Sequence, residues 1–136
     1  ASAPDLKVLV VKGPRMEADL GEVPPGVEVR SYVPRLFEHF AAADMAIVQG
    51  GGTSTLELAA LRVPFLYFPL KGHSEQEVNV ARKLERNGLG IKCDIARTSP
   101  GELASLVLGN IGKVPGPPAL SFDGCRNAAR AIASLL

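Results

Sequence analysis

The chain has 136 residues, the size of one ordinary domain with room for a real core. Apolar residues make up 46% of it and charged ones 21%, with 15 Lys and Arg against 14 Asp and Glu and a net charge of +1. No basic cluster is dense enough for nucleic-acid binding, and no apolar run approaches the roughly 20 residues of a membrane-spanning helix, so both classes are excluded.

Short β-branched runs alternate with longer amphipathic stretches. Residues 6–11 (LKVLVV) read as a buried strand ending at the turn residues Gly13 and Pro14. A Gly/Pro-rich loop through Gly21, Pro24, Pro25 and Gly26 leads to a weaker strand at 27–32. Pro34 suits the first turn of a helix, where its missing N–H costs nothing, and Leu36, Phe37, Phe40 and Ala41 give that helix an apolar stripe. A third strand at 45–48 stops abruptly at Gly50, Gly51 and Gly52.

Residues 53–61 are predicted as a helix with Leu56, Ala59 and Ala60 inward and Thr53 or Ser54 as its cap, ended by Pro64. Residues 65–68 form a fourth strand. Ser74 and Glu77 have capping-box spacing and open a helix that runs to about Asn87, where Gly88 and Gly90 stop it. A fifth strand at 89–92 and a helix at 99–108 follow, then a connector at 109–118 too rich in Gly and Pro for regular structure. The last helix, 121–136, carries Phe122, Cys125, Ala129, Ile132 and Leu136 on one face. This alternation predicts right-handed βαβ crossovers and an α/β fold: one doubly wound, Rossmann-like parallel sheet, covered on both faces, in a single domain. Cys93 and Cys125 have neither CxxC nor metal-ligand spacing, and are expected as a buried, reduced pair suited to a cytoplasmic protein.

In such sheets ligands sit beyond the carboxyl ends of the strands, which directs attention to QGGGTSTLE at 49–57. Three glycines let a ligand approach the backbone, and the N–H groups and positive dipole end of the following helix suit a phosphate. Thr53, Ser54 and Thr55 add hydroxyls. The same turn can serve as a plain strand-to-helix connection, and it is neither a Walker loop nor a GxGxxG fingerprint. Glu57, one turn into the helix, is either a solvated acid or a bidentate acceptor for two ribose hydroxyls. At the next junction Gln76 and Asn79 are three apart on one helix face, able to address sugar hydroxyls or simply to face water. His73 stands before the cap, within reach of a phosphate or solvated, and Arg15 after the first strand has the same two readings. His39 is read as structural. No Ser/His/Asp set, metal cluster or carboxylate pair is apparent.

In this order Gly50-Gly51-Gly52-Thr53, Glu57, Pro64, Gln76, Asn79 and Gly88-Leu89-Gly90 resemble the donor-binding, C-terminal half of GT-B glycosyltransferases. The branch that includes the bacterial peptidoglycan N-acetylglucosaminyltransferase is nearest, and the likeness covers nearly the whole chain. It implies that the glycine turn with Thr53 and Ser54 holds the diphosphate of a UDP-sugar, that Glu57 takes the ribose, and that Gln76 and Asn79 address the sugar. It further implies that the backbone at Tyr32 and Val33 reads the base, usually uracil, with Arg15 near the phosphates or the cleft, while His73 could compensate for the histidine missing at the turn. Two departures stand out: Gln49 replaces the histidine that many relatives carry before the turn, and Arg62 replaces the glycine of their ALGxP pattern, read as a surface change.

The resemblance implies transfer with no cofactor and no metal, the donor being a substrate. The catalytic base and acceptor site are expected on an N-terminal domain absent from this chain, so the chain needs that domain or a partner subunit, with peripheral membrane association as a further expectation. Beginning with Ala rather than Met favours an excised domain. Two other readings stand beside this one: a nucleotide-sugar 2-epimerase-like domain, and a non-catalytic subunit docking a membrane-bound partner, which an exposed apolar patch around Ile132 and Leu136 would favour.

Overall fold

A computed structural model describes residues 6–135, which fall into two compact units dividing after Leu36. The elements follow the expected order, five strands and five α-helices with one π-helical segment.

In the first unit β1 (Val8–Val11) and β2 (Val27–Arg30) pair in parallel, Val8 opposite Val27 and Val11 opposite Arg30. Parallel strands need a long connection, and residues 12–26 supply it without regular structure. Val8 and Leu9 are exposed, whereas a buried first strand was expected. Among the described residues β1 has a single hydrogen-bonded neighbour, so its pairing covers one edge alone.

From Phe37 on, the second unit holds the rest of α1 (Leu36–Ala42), which buries Phe40 and leaves His39 half-buried, and continues into β3 (Ala46–Gln49). A three-stranded parallel sheet runs β3, β4 (Phe65–Phe68), β5 (Ile91–Lys92), with Ile47 opposite Leu66 and Leu66 opposite Ile91. The five strands thus make two hydrogen-bonded sheets rather than the one expected. β4 is the middle strand, and its run Phe65, Leu66, Tyr67 is buried on both faces, as an inner parallel strand requires. Burial, reinforced by Glu85 and Cys93, pushes the Tyr67 hydroxyl up to about 12, so it stays neutral.

Helix α2 (Gly52–Leu61) turns Thr55, Leu58 and Ala59 into the core. The predicted inward set of Leu56, Ala59 and Ala60 was therefore one step off: Leu56 is half-buried and Ala60 exposed. A helical period fits either stripe. The buried one contains a threonine whose hydroxyl is satisfied inside the helix, donating to the carbonyls of Gly51 at 2.8 Å and Gly52 at 3.2 Å.

The helix predicted from Ser74 is a π-helical segment (Glu75–Val80) continued by α3 (Ala81–Arg86). Its capping box does not form. Ser74 is itself helical, at φ −53 and ψ −36, where an N-cap needs extended backbone, and Glu77 instead accepts the Gly72 N–H at 3.0 Å. A capping box is found at α4 (Pro100–Asn110), where Ser99 and Glu102 bond reciprocally and hold the Glu102 carboxyl below the usual range. Helix α5 (Gly124–Ala133) buries none of its residues. Ile132 on its apolar face is 62% exposed, and Leu136 lies outside the described residues. Cys125 is accordingly exposed rather than buried, while Cys93 is buried, with its thiol pushed up by burial; both are free.

Two helices end alike. After α3, Gly88 is left-handed at φ 61, its N–H bonds Glu85, and the Leu89 N–H reaches Leu84. After α2 the same pair of bonds runs from Arg62 to Ala59 and from Val63 to Leu58, with Arg62 left-handed at φ 57. The glycine that the ALGxP pattern carries here therefore serves backbone conformation; the Arg62 side chain is exposed, and its Nε donates to the Pro115 carbonyl at 2.9 Å. Arg62→Gly and Arg62→Ala both lose that bond, so comparing them isolates the backbone. The glycine variant is expected to be the more stable by about 1 kcal/mol in urea unfolding. Equal stabilities would mean that the helix does not end in a left-handed residue.

Candidate functional site

Parallel order sends the carboxyl ends of β3, β4 and β5 to one edge, where the chain leaves through Gly50, Pro69 and Cys93. Gly50 is buried and its N–H bonds the Phe68 carbonyl at 3.2 Å. A Cβ on it would stand 2.8 Å from the Pro69 Cα, so only glycine lets the two strand ends lie this close. Gly51 is the N-cap of α2, extended at φ −72 and ψ 143, and no side chain caps the helix. The N–H groups of Gly52, Thr53 and Ser54, the first three of α2, thus have neither an intrahelical partner nor a side-chain cap, at the positive end of the helix dipole. Thr53 is exposed and Ser54 half-buried, so both hydroxyls border this start. The Thr55 hydroxyl, counted from the sequence as a further donor, points back into its own turn instead.

Glu57 is half-buried, and its carboxylate has no hydrogen-bond or ion-pair partner among the described residues. The neighbouring junction is more fully bonded. Gln76 accepts the Leu70 N–H at 3.2 Å through Oε1, and Asn79 donates from Nδ2 to Glu75 Oε2 at 3.0 Å. A backbone N–H can only donate and a carboxylate can only accept, so these partners fix both amides. Gln76 is left with N–H donors to offer and Asn79 with a carbonyl oxygen. Both belong to the π-helical segment, where residues three apart are turned farther from each other than in the α-helix expected. His73 is exposed in the loop before it. Glu75, which orients Asn79, was not singled out from the sequence, although its four-residue spacing from Asn79 was a readable signal.

The loops after β4 and β5 are tied by Lys71 and Asp94, 3.2 Å apart. The Ala96 N–H above all, then Lys71 and Arg97, hold the Asp94 carboxyl below the usual carboxylate range. The structure thus gathers Gly50, Gly51, Gly52, Thr53 and Ser54 at the start of α2, beside Pro69; a Cβ on Gly52 would stand 3.6 Å from Val80 Cγ2. Arg15 and Val33 belong to the first unit. Arg15 is exposed in a turn, and Val33 is buried beside an exposed Tyr32, so a ligand contact at Val33 falls to its backbone.

Neither of two concavities includes the glycine turn. A cavity of about 320 Å³ lies at the opposite edge, among Met45, Pro64, Phe65, Gly90 and Val114. An open groove of about 680 Å³ follows β5, between Asp94, Arg97 and Glu102. Position at the carboxyl edge favours the turn over the cavity, and its unpaired helix-start donors favour it over the groove, where the start of α4 carries a capping box. Among the described residues no three His, Cys, Asp or Glu side chains group as a metal site requires, and no helix is long and apolar enough to cross a membrane.

Residues 6–111 match the family model of the Glycosyltransferase family 28 C-terminal domain. The chain is 36% identical, over 82% of its length, to an uncharacterized glycosyltransferase of Methanopyrus kandleri, of which it covers 32%. It is 32% identical, over 97% of its length, to the UDP-N-acetylglucosamine–N-acetylmuramyl-(pentapeptide) pyrophosphoryl-undecaprenol N-acetylglucosamine transferase of Mycolicibacterium paratuberculosis, of which it covers 34%. Among solved structures, the glycotransferase of kitacinnamycin superposes with a TM-score of 0.65 at 27% identity, over 78% of this chain and 27% of that one. The chain therefore spans about a third of the length of the curated relatives it matches. The Rossmann-like α/β class read from the sequence agrees with this neighbour.

Because Asp94 is depressed in the folded state, its contribution to stability is present above the ordinary carboxylate range and lost as pH falls through the folded value. Asp94→Asn is expected to lower stability at pH 7 and to flatten the acid limb of a stability-versus-pH curve. An unchanged acid limb would remove the tie between the two loops from the site.

Proposed function

The chain belongs to glycosyltransferase family 28, as a C-terminal domain of that family, and on that premise we propose that it binds a nucleotide sugar, a UDP-sugar, whose sugar passes to an acceptor. The observation that carries the reading is the uncapped start of α2 beside the glycine turn. A diphosphate there receives the N–H groups of Gly52, Thr53 and Ser54, with the Thr53 and Ser54 hydroxyls alongside. Charge growing on the departing diphosphate meets donors already in place, which lowers the barrier without metal or cofactor. Glu57, its carboxylate unpaired, accepts the two ribose hydroxyls. Gln76 donates to the sugar and Asn79 accepts from it, as their fixed amides require.

The exposed His73 serves the phosphates. Arg15 and the Val33 backbone keep, within the first unit, the roles that the family likeness gives them. No group of this chain is assigned as the catalytic base. That role and acceptor binding fall to an N-terminal domain or a partner subunit, with the assembled enzyme on the cytoplasmic side and peripheral to the membrane that holds its acceptor.

Docking without catalysis is a second reading, favoured by the exposed Ile132 face of α5. It leaves the open helix start without a purpose. An epimerase of like architecture would release UDP and an altered sugar with no acceptor present.

Calorimetric titration with UDP, dTDP, GDP and UDP-N-acetylglucosamine tests the proposal. Saturable binding of the uridine nucleotides is expected over the others. Glu57→Ala is expected to weaken it by about 1–3 kcal/mol, the cost of losing hydrogen bonds to a charged group. Full affinity in a folded Glu57→Ala variant would sink the ribose assignment.

A further inference from the structure

Thr55 is fully buried, at 0% exposure. Its hydroxyl donates to the Gly51 carbonyl at 2.8 Å and the Gly52 carbonyl at 3.2 Å, while its own N–H reaches the Gly51 carbonyl at 3.3 Å. In a trans peptide the carbonyl and the N–H that follows share one plane and point opposite ways. Holding the Gly51 and Gly52 carbonyls inward therefore aims the N–H groups of Gly52 and Thr53 outward, through the uncapped helix start. Three consecutive glycines would otherwise be the most freely rotating stretch of this edge. Gly50 is fixed by Phe68 and Pro69, whereas a Cβ on Gly51 would meet nothing within 4 Å. The Thr55 hydroxyl is thus the side-chain group that reinforces the backbone bonds holding the Gly51 and Gly52 carbonyls at this helix start.

We infer that Thr55 is a positioning residue for diphosphate recognition: it never touches the ligand, and it sets the direction of two of the peptide N–H groups that do, those of Gly52 and Thr53. The inference rests on the donor-binding reading above and adds to it the residue that gives the glycine turn its geometry. Its requirement is chemical, a hydroxyl at the Thr55 position. The γ-methyl serves packing alone.

The full chain and its Thr55→Val and Thr55→Ser variants are titrated with UDP and with uridine. Valine keeps the shape and loses the hydroxyl; serine keeps the hydroxyl and loses the methyl. Thr55→Val is expected to bind UDP about tenfold more weakly, as one well-aimed hydrogen bond is worth, with uridine affinity unchanged. Thr55→Ser is expected to restore UDP binding even where it lowers the unfolding temperature. A Thr55→Val variant that binds UDP like the parent overturns the inference and leaves the donor site standing. Equal loss for UDP and uridine, or a serine variant as weak as the valine one, also overturns it, because packing would then explain Thr55. A parent chain that does not bind UDP overturns the donor reading itself. Glu57→Ala, which removes the ribose contact, should weaken uridine and UDP together, so the two residues give separable signatures.

Discussion

Three strands that pair in parallel must all end at the same edge, and the chain meets this constraint with very little strand. β4 contributes four residues and β5 two, yet Phe65, Leu66 and Tyr67 are buried. One consequence is crowding where β3 and β4 finish together, relieved by the missing Cβ of Gly50 against Pro69. Crowding recurs at the opposite edge, where a Cβ on Gly90 would collide with the Phe65 ring. Glycine is thus dictated at Gly50 by the approach of another backbone and at Gly90 by the Phe65 ring. What remains distinctive of the carboxyl edge is the pair of glycines that follows Gly50, where no neighbour demands one.

Much of this was legible in the sequence because strand and helix patterns were separated by strong punctuation. The QGGGT run, Pro64 and the Gly88–Gly90 stop located the ends of β3, α2 and α3 to within a residue or two. Sidedness was harder to read. Two stripes of α2 fit a helical period, and the buried one contains Thr55, a polar residue whose hydroxyl is satisfied within the helix. The capping pair was misplaced for a related reason. Ser74 and Glu77 have the right spacing, yet Glu77 and Gln76 are both drawn back to the loop after β4, and the segment widens into a π-helix. Ser99 and Glu102 have the same spacing with no such competitor, and there the box forms. Identity of residues told which groups could carry chemistry; competition among partners, invisible in sequence, decided which way they pointed.

Arg62 shows how the two kinds of information combine. As a departure from a family pattern it looked like a surface change, and the side chain is indeed exposed. The backbone beneath it repeats the helix ending that Gly88 makes elsewhere in the same chain. The pattern therefore records a conformation, and this chain tolerates a non-glycine there, offset in part by the bond to Pro115.

The two best-defined helix starts lead to the functional reading. α4 is sealed: Ser99 takes the Glu102 N–H, Glu102 takes the Ser99 N–H, and Pro100 removes a donor altogether. α2 is left open, with glycine where Ser, Thr, Asp or Asn would have satisfied a donor, a choice that forgoes up to a few tenths of a kcal/mol in a chain that seals α4. Hydroxyls are not scarce at this turn, since Thr53, Ser54 and Thr55 follow at once. Two of them stand at the rim, and the third is turned inward to hold the carbonyls. That division leaves the first peptide N–H groups of α2 facing outward at the carboxyl edge of the sheet, where an anion can complete the cap that the sequence omits.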